Sequence, residues 1–169
     1  LNTIGIFDLP VLSEDEKKEI VRFVIEKNAG RLKIMVGVGS NNTLGLVESI
    51  KKTNFDGIDG ILSVTPYYNK PTQEGLFQHF NAVVEACPVP VVLYNVPGRT
   101  GINMDAETTL RIARLSEKVI GIKEACGDLS QFAKIVNGAP DYFKVISGDD
   151  GLTLPAIATG SIGVISVIA

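Results

Sequence analysis

The 169 residues contain no tryptophan and a single histidine, His79. The only cysteines, Cys87 and Cys126, lie far apart and form no C-x-x-C pair. So small a stock of nitrogen and sulfur ligands excludes a zinc-organised fold, and neither a metal nor a cofactor is expected. Unpatterned thiols of this kind read as reduced, which is the expectation for a cytoplasmic protein. Basic clusters are also missing. Lys and Arg number 16 against 19 Asp and Glu, a net charge of -3, so nucleic acid is not an expected partner. No apolar run approaches the roughly 18 residues needed to cross a bilayer, and the first residues lack the charged start and apolar centre of a signal peptide, so no membrane partner is expected. What remains is globular: 45% hydrophobic and 21% charged. A chain of this length buries roughly two thirds of its unfolded surface and can build a core without staples.

Apolar, β-branched runs occur at 33–38 (KIMVGV), 60–64 (GILSV), 89–94 (VPVVLY), 119–122 (VIGI), 143–146 (FKVI) and 163–168 (GVISVI). Helical spacing fills the intervals. Ser13 and Glu16 make a capping box ahead of Ile20, Val21, Val24 and Ile25; Thr72 is placed to cap Leu76 to Val84; Asp128 and Gln131 open a run through Phe132, Ile135 and Val136. The strand starts recur about every 20 to 30 residues, the spacing of βα units with parallel strands. Two architectures satisfy this pattern, an open doubly wound sheet and a closed (β/α)8 barrel. The first should carry a glycine-rich phosphate turn, and GVGSNN at 37–42 is only a partial match that ordinary strand-to-helix geometry also explains. Polar groups instead gather just past strand ends: Thr65, Tyr67 and Tyr68; Tyr94, Asn95 and Arg99; Lys123 and Glu124; Ser147 to Asp150. That is the active-site edge of a barrel.

Lys123, in VIGIKEACG, bears most directly on the chemistry. Strict alternation puts Val119, Gly121 and Lys123 on one face and Ile120, Ile122 and Glu124 on the other. An amine inside a barrel is desolvated, which favours the neutral form that attacks a carbonyl to give a Schiff base. The competing reading is a lysine that snorkels to water or pairs with Glu124, Asp149 or Asp150; a small Gly121 on the same face favours room for a substrate. Tyr94 is either a core aromatic or the acid/base group that carbinolamine dehydration requires. Arg99 offers a planar fork for a substrate carboxylate, or else a loop-tying ion pair. His79, within the Thr72 helix, reads as structural or exposed.

Four blocks, VTPYYNKP at 64–71, YNVPGRTG at 94–101, GIKEACG at 121–127 and SGDD at 147–150, resemble the dihydrodipicolinate synthase and N-acetylneuraminate lyase superfamily of class I aldolases. The PGRTG form points to its dihydrodipicolinate synthase branch. The resemblance implies a (β/α)8 TIM barrel and condensation of pyruvate with aspartate semialdehyde to hydroxytetrahydrodipicolinate, on the route to diaminopimelate and lysine. It implies that Lys123 is the Schiff-base lysine, Tyr94 the proton-relaying tyrosine, Tyr68 the tyrosine that reaches a neighbouring subunit's site, and Arg99 the receiver of the semialdehyde's carboxylate. Gly148 and Ile165 match positions whose carbonyls line the pyruvate pocket. A homo-oligomer, dimer or tetramer, is implied. Two alternatives stay open: a related aldolase using another 2-keto acid, and a non-catalytic fragment that keeps the fold.

The departures are specific. The family's T-T-G-E stretch is not matched, because counting back from Leu12 puts Gly5 and Ile6 where its threonines belong, followed by Phe7 and Asp8. No catalytic threonine is assigned, and residues 1–11 depart from the family pattern. About 250 residues are typical of the fold, so 1–169 is expected to be a single barrel domain present in part, with about six βα units. It would lack the first strand region and the C-terminal part, as a stretch of a longer polypeptide or a truncated product. The resemblance also implies a lysine-feedback pocket at the dimer interface. Asn41 and Tyr67 fall at matching positions, but Gly45 stands where the pocket's acidic residue belongs. Lysine is therefore expected to inhibit weakly or not at all; strong inhibition of an active preparation at millimolar lysine would contradict this.

Overall fold

A computed structural model describes residues 4–7 and 12–167, in which strands and helices alternate. The order is β1 (Ile4–Phe7), α1 (Glu14–Asn28), β2 (Lys33–Gly37), α2 (Thr43–Lys52), β3 (Gly60–Val64), α3 (Gln73–Ala86), β4 (Val91–Asn95), the single turn α4 (Pro97–Thr100), α5 (Ala106–Ala113), β5 (Val119–Glu124), α6 (Leu129–Gly138), β6 (Lys144–Ser147) and α7 (Thr153–Ala158). Short polar side chains start the helices. Ser13 Oγ accepts from the Glu16 N–H while the Glu16 carboxylate accepts from the Ser13 N–H at 2.9 Å, and Thr72 Oγ1 accepts from the Gly75 N–H at 3.1 Å. Asp128 caps α6 through Ser130, but Gln131 does not complete a box; its side chain turns inward to Glu124.

All six strands are parallel and lie side by side in chain order, β1 to β6. A doubly wound sheet must reverse its order at a switch point, and this one never does. The architecture is an arc of a (β/α)8 barrel. Two apolar clusters lie on the two faces of that arc. The larger, with Ile61, Phe80, Leu93, Ile112, Ile122 and Phe132, fills the space between the sheet and the helices. The smaller, Met35, Leu62 and Val92 with Tyr94 and Ile120 against them, lines the concave interior. Among the described residues no helix is long and apolar enough to cross a membrane.

Three expectations need correction. The run at 163–168 forms no strand among its described residues, only an isolated parallel bridge from Val164 to Ser147. Strict alternation along β5 also fails. Val91 pairs with Val119 but Val92 with Gly121, so Ile120 is an extra residue at a bulge. Val119 therefore joins the helix-facing core and Ile120 the interior. Gly121 does not open room for a ligand: a Cβ there would strike the Lys144 carbonyl, so the glycine lets β5 and β6 approach.

His79 sits on the core face of α3, 3% exposed, with Nδ1 2.8 Å from Thr43 Oγ1. Burial pulls its pKa down to about 4. The unfolded chain takes up this proton near pH 6.5, whereas the folded protein refuses it until about pH 4. The stability that neutral His79 contributes is complete above the upper value and is lost as pH falls towards the lower, by at most about 1.4 kcal/mol per pH unit. In urea unfolding, the wild type is expected to lose more stability than His79→Gln between about pH 7 and pH 4.5.

Candidate active site

The register of the central strands sets four residues in one row near their C-terminal ends: Val64 beside Tyr94, Tyr94 beside Lys123, and Lys123 beside Ile146. Tyr94 packs against the interior cluster. Lys123 is 7% exposed, and its Nζ lies 4.4 Å from the centroid of the Tyr94 ring. The ring face thus forms one wall of the pocket around the amine. Gly148, on the turn after β6, closes over the lysine stem. A Cβ at this position would lie 2.9 Å from Lys123 Cε and 2.9 Å from the Ala125 Cβ. The Gly148 N–H is anchored on the Glu124 carbonyl at 2.8 Å.

One residue further along each strand, the side chains face the helices instead. Asn95 and Glu124 are register partners and are both fully buried. Asn95 Nδ2 donates to the two Glu124 carboxylate oxygens at 2.9 and 3.1 Å. Gln131 Nε2 donates to Oε2 at 3.0 Å, and the Cys126 N–H to Oε1 at 2.9 Å. Burial pushes the Glu124 carboxyl above the usual carboxylate range, against the pull of these donors. Glu124 therefore faces away from Lys123, towards amides, and takes part in no ion pair among the described residues. The same carboxylate helps push the Cys126 thiol up to about 12, after the larger effect of burial. The sequence places Asn95 among the polar residues at the strand ends and Gln131 at a helix start, but its pattern does not bring the two amides together on Glu124. The one available signal was two polar residues at the outward position of adjacent apolar strands.

The remaining candidates lie around this centre. Ile165 is partly buried, and its N–H donates to the Ser147 carbonyl at 2.8 Å, which brings that segment alongside the end of β6. Arg99 is on α4, exposed, and makes no ion pair among the described residues, so the loop-tying alternative is not formed. Tyr68 is 88% exposed and enters no enclosed site among the described residues. Its backbone is held at φ 74°, a left-handed conformation unusual for tyrosine, with its N–H on the Thr100 carbonyl at 3.3 Å. The Tyr68 loop thus rests on the turn that carries Arg99. Thr3 and Asp8 lie outside the described residues, while Gly5 and Ile6 belong to β1. A cavity of about 440 Å³ bordered by Asn28, Arg31, Lys33 and Asp59 lies at the opposite end of the sheet, where β2 and β3 begin, away from this chemistry.

The model of the dihydrodipicolinate synthetase family matches residues 8–169. The chain belongs to this family. The 4-hydroxy-tetrahydrodipicolinate synthase of Parabacteroides distasonis is 55% identical over 161 residues, which cover 95% of this chain and 54% of that protein. A crystal structure of dihydrodipicolinate synthase from Bacillus anthracis superposes with a TM-score of 0.89 at 43% identity, covering 94% of this chain and 54% of the other. A monomeric dihydrodipicolinate synthase variant gives the same TM-score at 42% identity, with 94% and 54% covered. The chain spans about half the length of the relatives it matches, and residues 1–7 fall outside the family match.

Gly148→Ala tests the packing over the family's lysine block directly. The added methyl is expected to lower stability by about 1–3 kcal/mol in urea unfolding. It should also change the rate at which an amine reagent labels Lys123, read by peptide mass spectrometry on the folded protein.

Proposed function

We propose that this chain is the lysine-bearing part of a pyruvate-dependent Schiff-base lyase that condenses pyruvate with aspartate semialdehyde to 4-hydroxy-tetrahydrodipicolinate. The observation that carries the reading is a buried lysine amine at the C-terminal end of β5, packed on a tyrosine ring at the same level of β4. In this reading the neutral Lys123 amine adds to C2 of pyruvate. The carbinolamine loses water to give the imine, and removal of a C3 proton gives the enamine. That carbon attacks the aldehyde of the second substrate, whose amino group then displaces Lys123 and closes the ring. Tyr94 supplies and takes up the protons of these steps. Arg99 receives the semialdehyde's carboxylate through its planar fork. The Gly148 and Ile165 backbones border pyruvate, and Tyr68 completes the site of a neighbouring subunit.

The same proposal extends to organisation. Residues 1–169 would belong to a single barrel domain, with 1–11 departing from the family pattern, in a cytoplasmic homo-oligomer, dimer or tetramer. One family member with a solved structure is described as monomeric, so the number of subunits is a property to measure. A second reading, a non-catalytic member that keeps the fold, is favoured by one observation: the family's paired threonines are absent from residues 5–8.

Borohydride reduction in the presence of pyruvate separates these readings. The expected result is one reduced pyruvyl adduct, mapped by peptide mass spectrometry to Lys123 and absent from Lys123→Arg. An unlabelled Lys123 in protein that is folded by circular dichroism would overturn the catalytic reading. If labelling occurs but aspartate semialdehyde is not consumed while another aldehyde is, the related-aldolase alternative takes its place.

A further inference from the structure

Glu124 is the residue the proposed chemistry leaves unused, and it is the most thoroughly enclosed charged group among the described residues, at 0% exposure. Its carboxylate is met by three neutral donor groups, the Asn95 and Gln131 amides and the Cys126 N–H. Burying a carboxylate without a cation is expensive. Its position supplies a reason for the expense. Tyr94 pairs with Lys123 in the register, and Asn95 pairs with Glu124 one residue later. Because successive side chains face opposite sides of a strand, the outward amide–carboxylate pair lies directly behind the inward tyrosine–lysine pair. β5 carries a bulge just upstream, between the Val119 and Gly121 positions, which is where its register on β4 is least secured by the backbone.

Resting on the Schiff-base reading of the site, we propose that Glu124 is a positioning residue: through the amide of Asn95 it locks β4 to β5, braced by the Gln131 amide of α6, and so sets the juxtaposition of Tyr94 and Lys123. The clasp has further connections. Asn95 Oδ1 accepts from the Met104 N–H at 3.0 Å and its Nδ2 reaches Asn103 Oδ1 at 2.7 Å. The Asn103 carbonyl accepts from Gln73 Nε2 at 2.8 Å. The constraint therefore runs from the back of β5 to the segment that follows the Arg99 turn.

The test compares wild type, Glu124→Gln, the exchange Glu124→Gln with Gln131→Glu, and Asn95→Ser, each scored per folded molecule by circular dichroism. Two rates are read by peptide mass spectrometry: pyruvate trapping at Lys123 with borohydride, and acylation of Lys123 by acetic anhydride relative to exposed Lys52. Positioning predicts that folded Glu124→Gln and Asn95→Ser trap pyruvate about tenfold or more slowly, since misplacement by about 1 Å is that costly. It also predicts a changed acylation ratio, and recovery of most of the rate in the exchange, which restores one carboxylate and one amide. A purely structural role predicts lower stability with both rates unchanged in the folded fraction, and that result from either single variant overturns the proposal. If Glu124→Gln does not fold, Asn95→Ser decides alone. Should the wild type fail to trap pyruvate, the Schiff-base reading falls, and the acylation ratio alone then judges the clasp, an unchanged ratio overturning it.

Discussion

The alternation of side chains across a parallel sheet is the constraint on which this site depends. On two neighbouring strands, consecutive residues point to opposite faces, so Tyr94 and Lys123 enter the barrel interior while Asn95 and Glu124 enter the layer beneath the helices. A shift of one residue in the pairing would exchange the two environments and put a carboxylate where the amine belongs. The bulge at Ile120 restores this alternation towards the C-terminal end of β5, so that Val119 and Ile122 both serve the outer core while Lys123 turns inward.

The polar interior is selective about what it satisfies. Glu124 is surrounded by donors, and Asn95 and Gln131 use their amides on both partners and main chain. By contrast, the side-chain oxygens of Ser63 and Thr65 and the Nε2 of His79 are buried with no hydrogen-bond partner among the described residues. Each carries a desolvation cost, and burial keeps His79 neutral well below the usual histidine range. Stability and site geometry thus draw on different parts of the sheet. The apolar cluster under the helices supplies the bulk of burial, and the Asn95–Glu124 contact supplies alignment.

Much of the fold was legible because it rests on local chemistry. The capping box of Ser13 and Glu16 and the Thr72 cap follow from side-chain reach over three residues, and the βα period follows from apolar runs alone. The site candidates Lys123 and Tyr94 were legible because they end apolar strands, where a polar group has a barrel rim to face. Other features were not. Gly121 looks from sequence like a vacancy beside Lys123 and is in fact a point of close backbone approach to β6. Gln131 looks like a capping partner for Asp128 and instead reaches the strand. Both depend on neighbours distant in sequence, and spacing carries no information about them.

Sequence by itself determined most of the strands and helices, the parallel βα alternation and the identity of the family, since these reside in composition, period and four short motifs; it missed β1 and read a strand at 163–168 where only a bridge forms. The polar strand ends and those motifs already pointed to a barrel, and a strand order that never reverses bears this out. Only the tertiary structure decided that Glu124 binds amides rather than the adjacent lysine, and that the Lys123 amine lies on the Tyr94 ring. The physical reason is the same in each case. Which groups meet across a sheet is set by strand register and bulges, and these arise from packing between segments far apart in the chain.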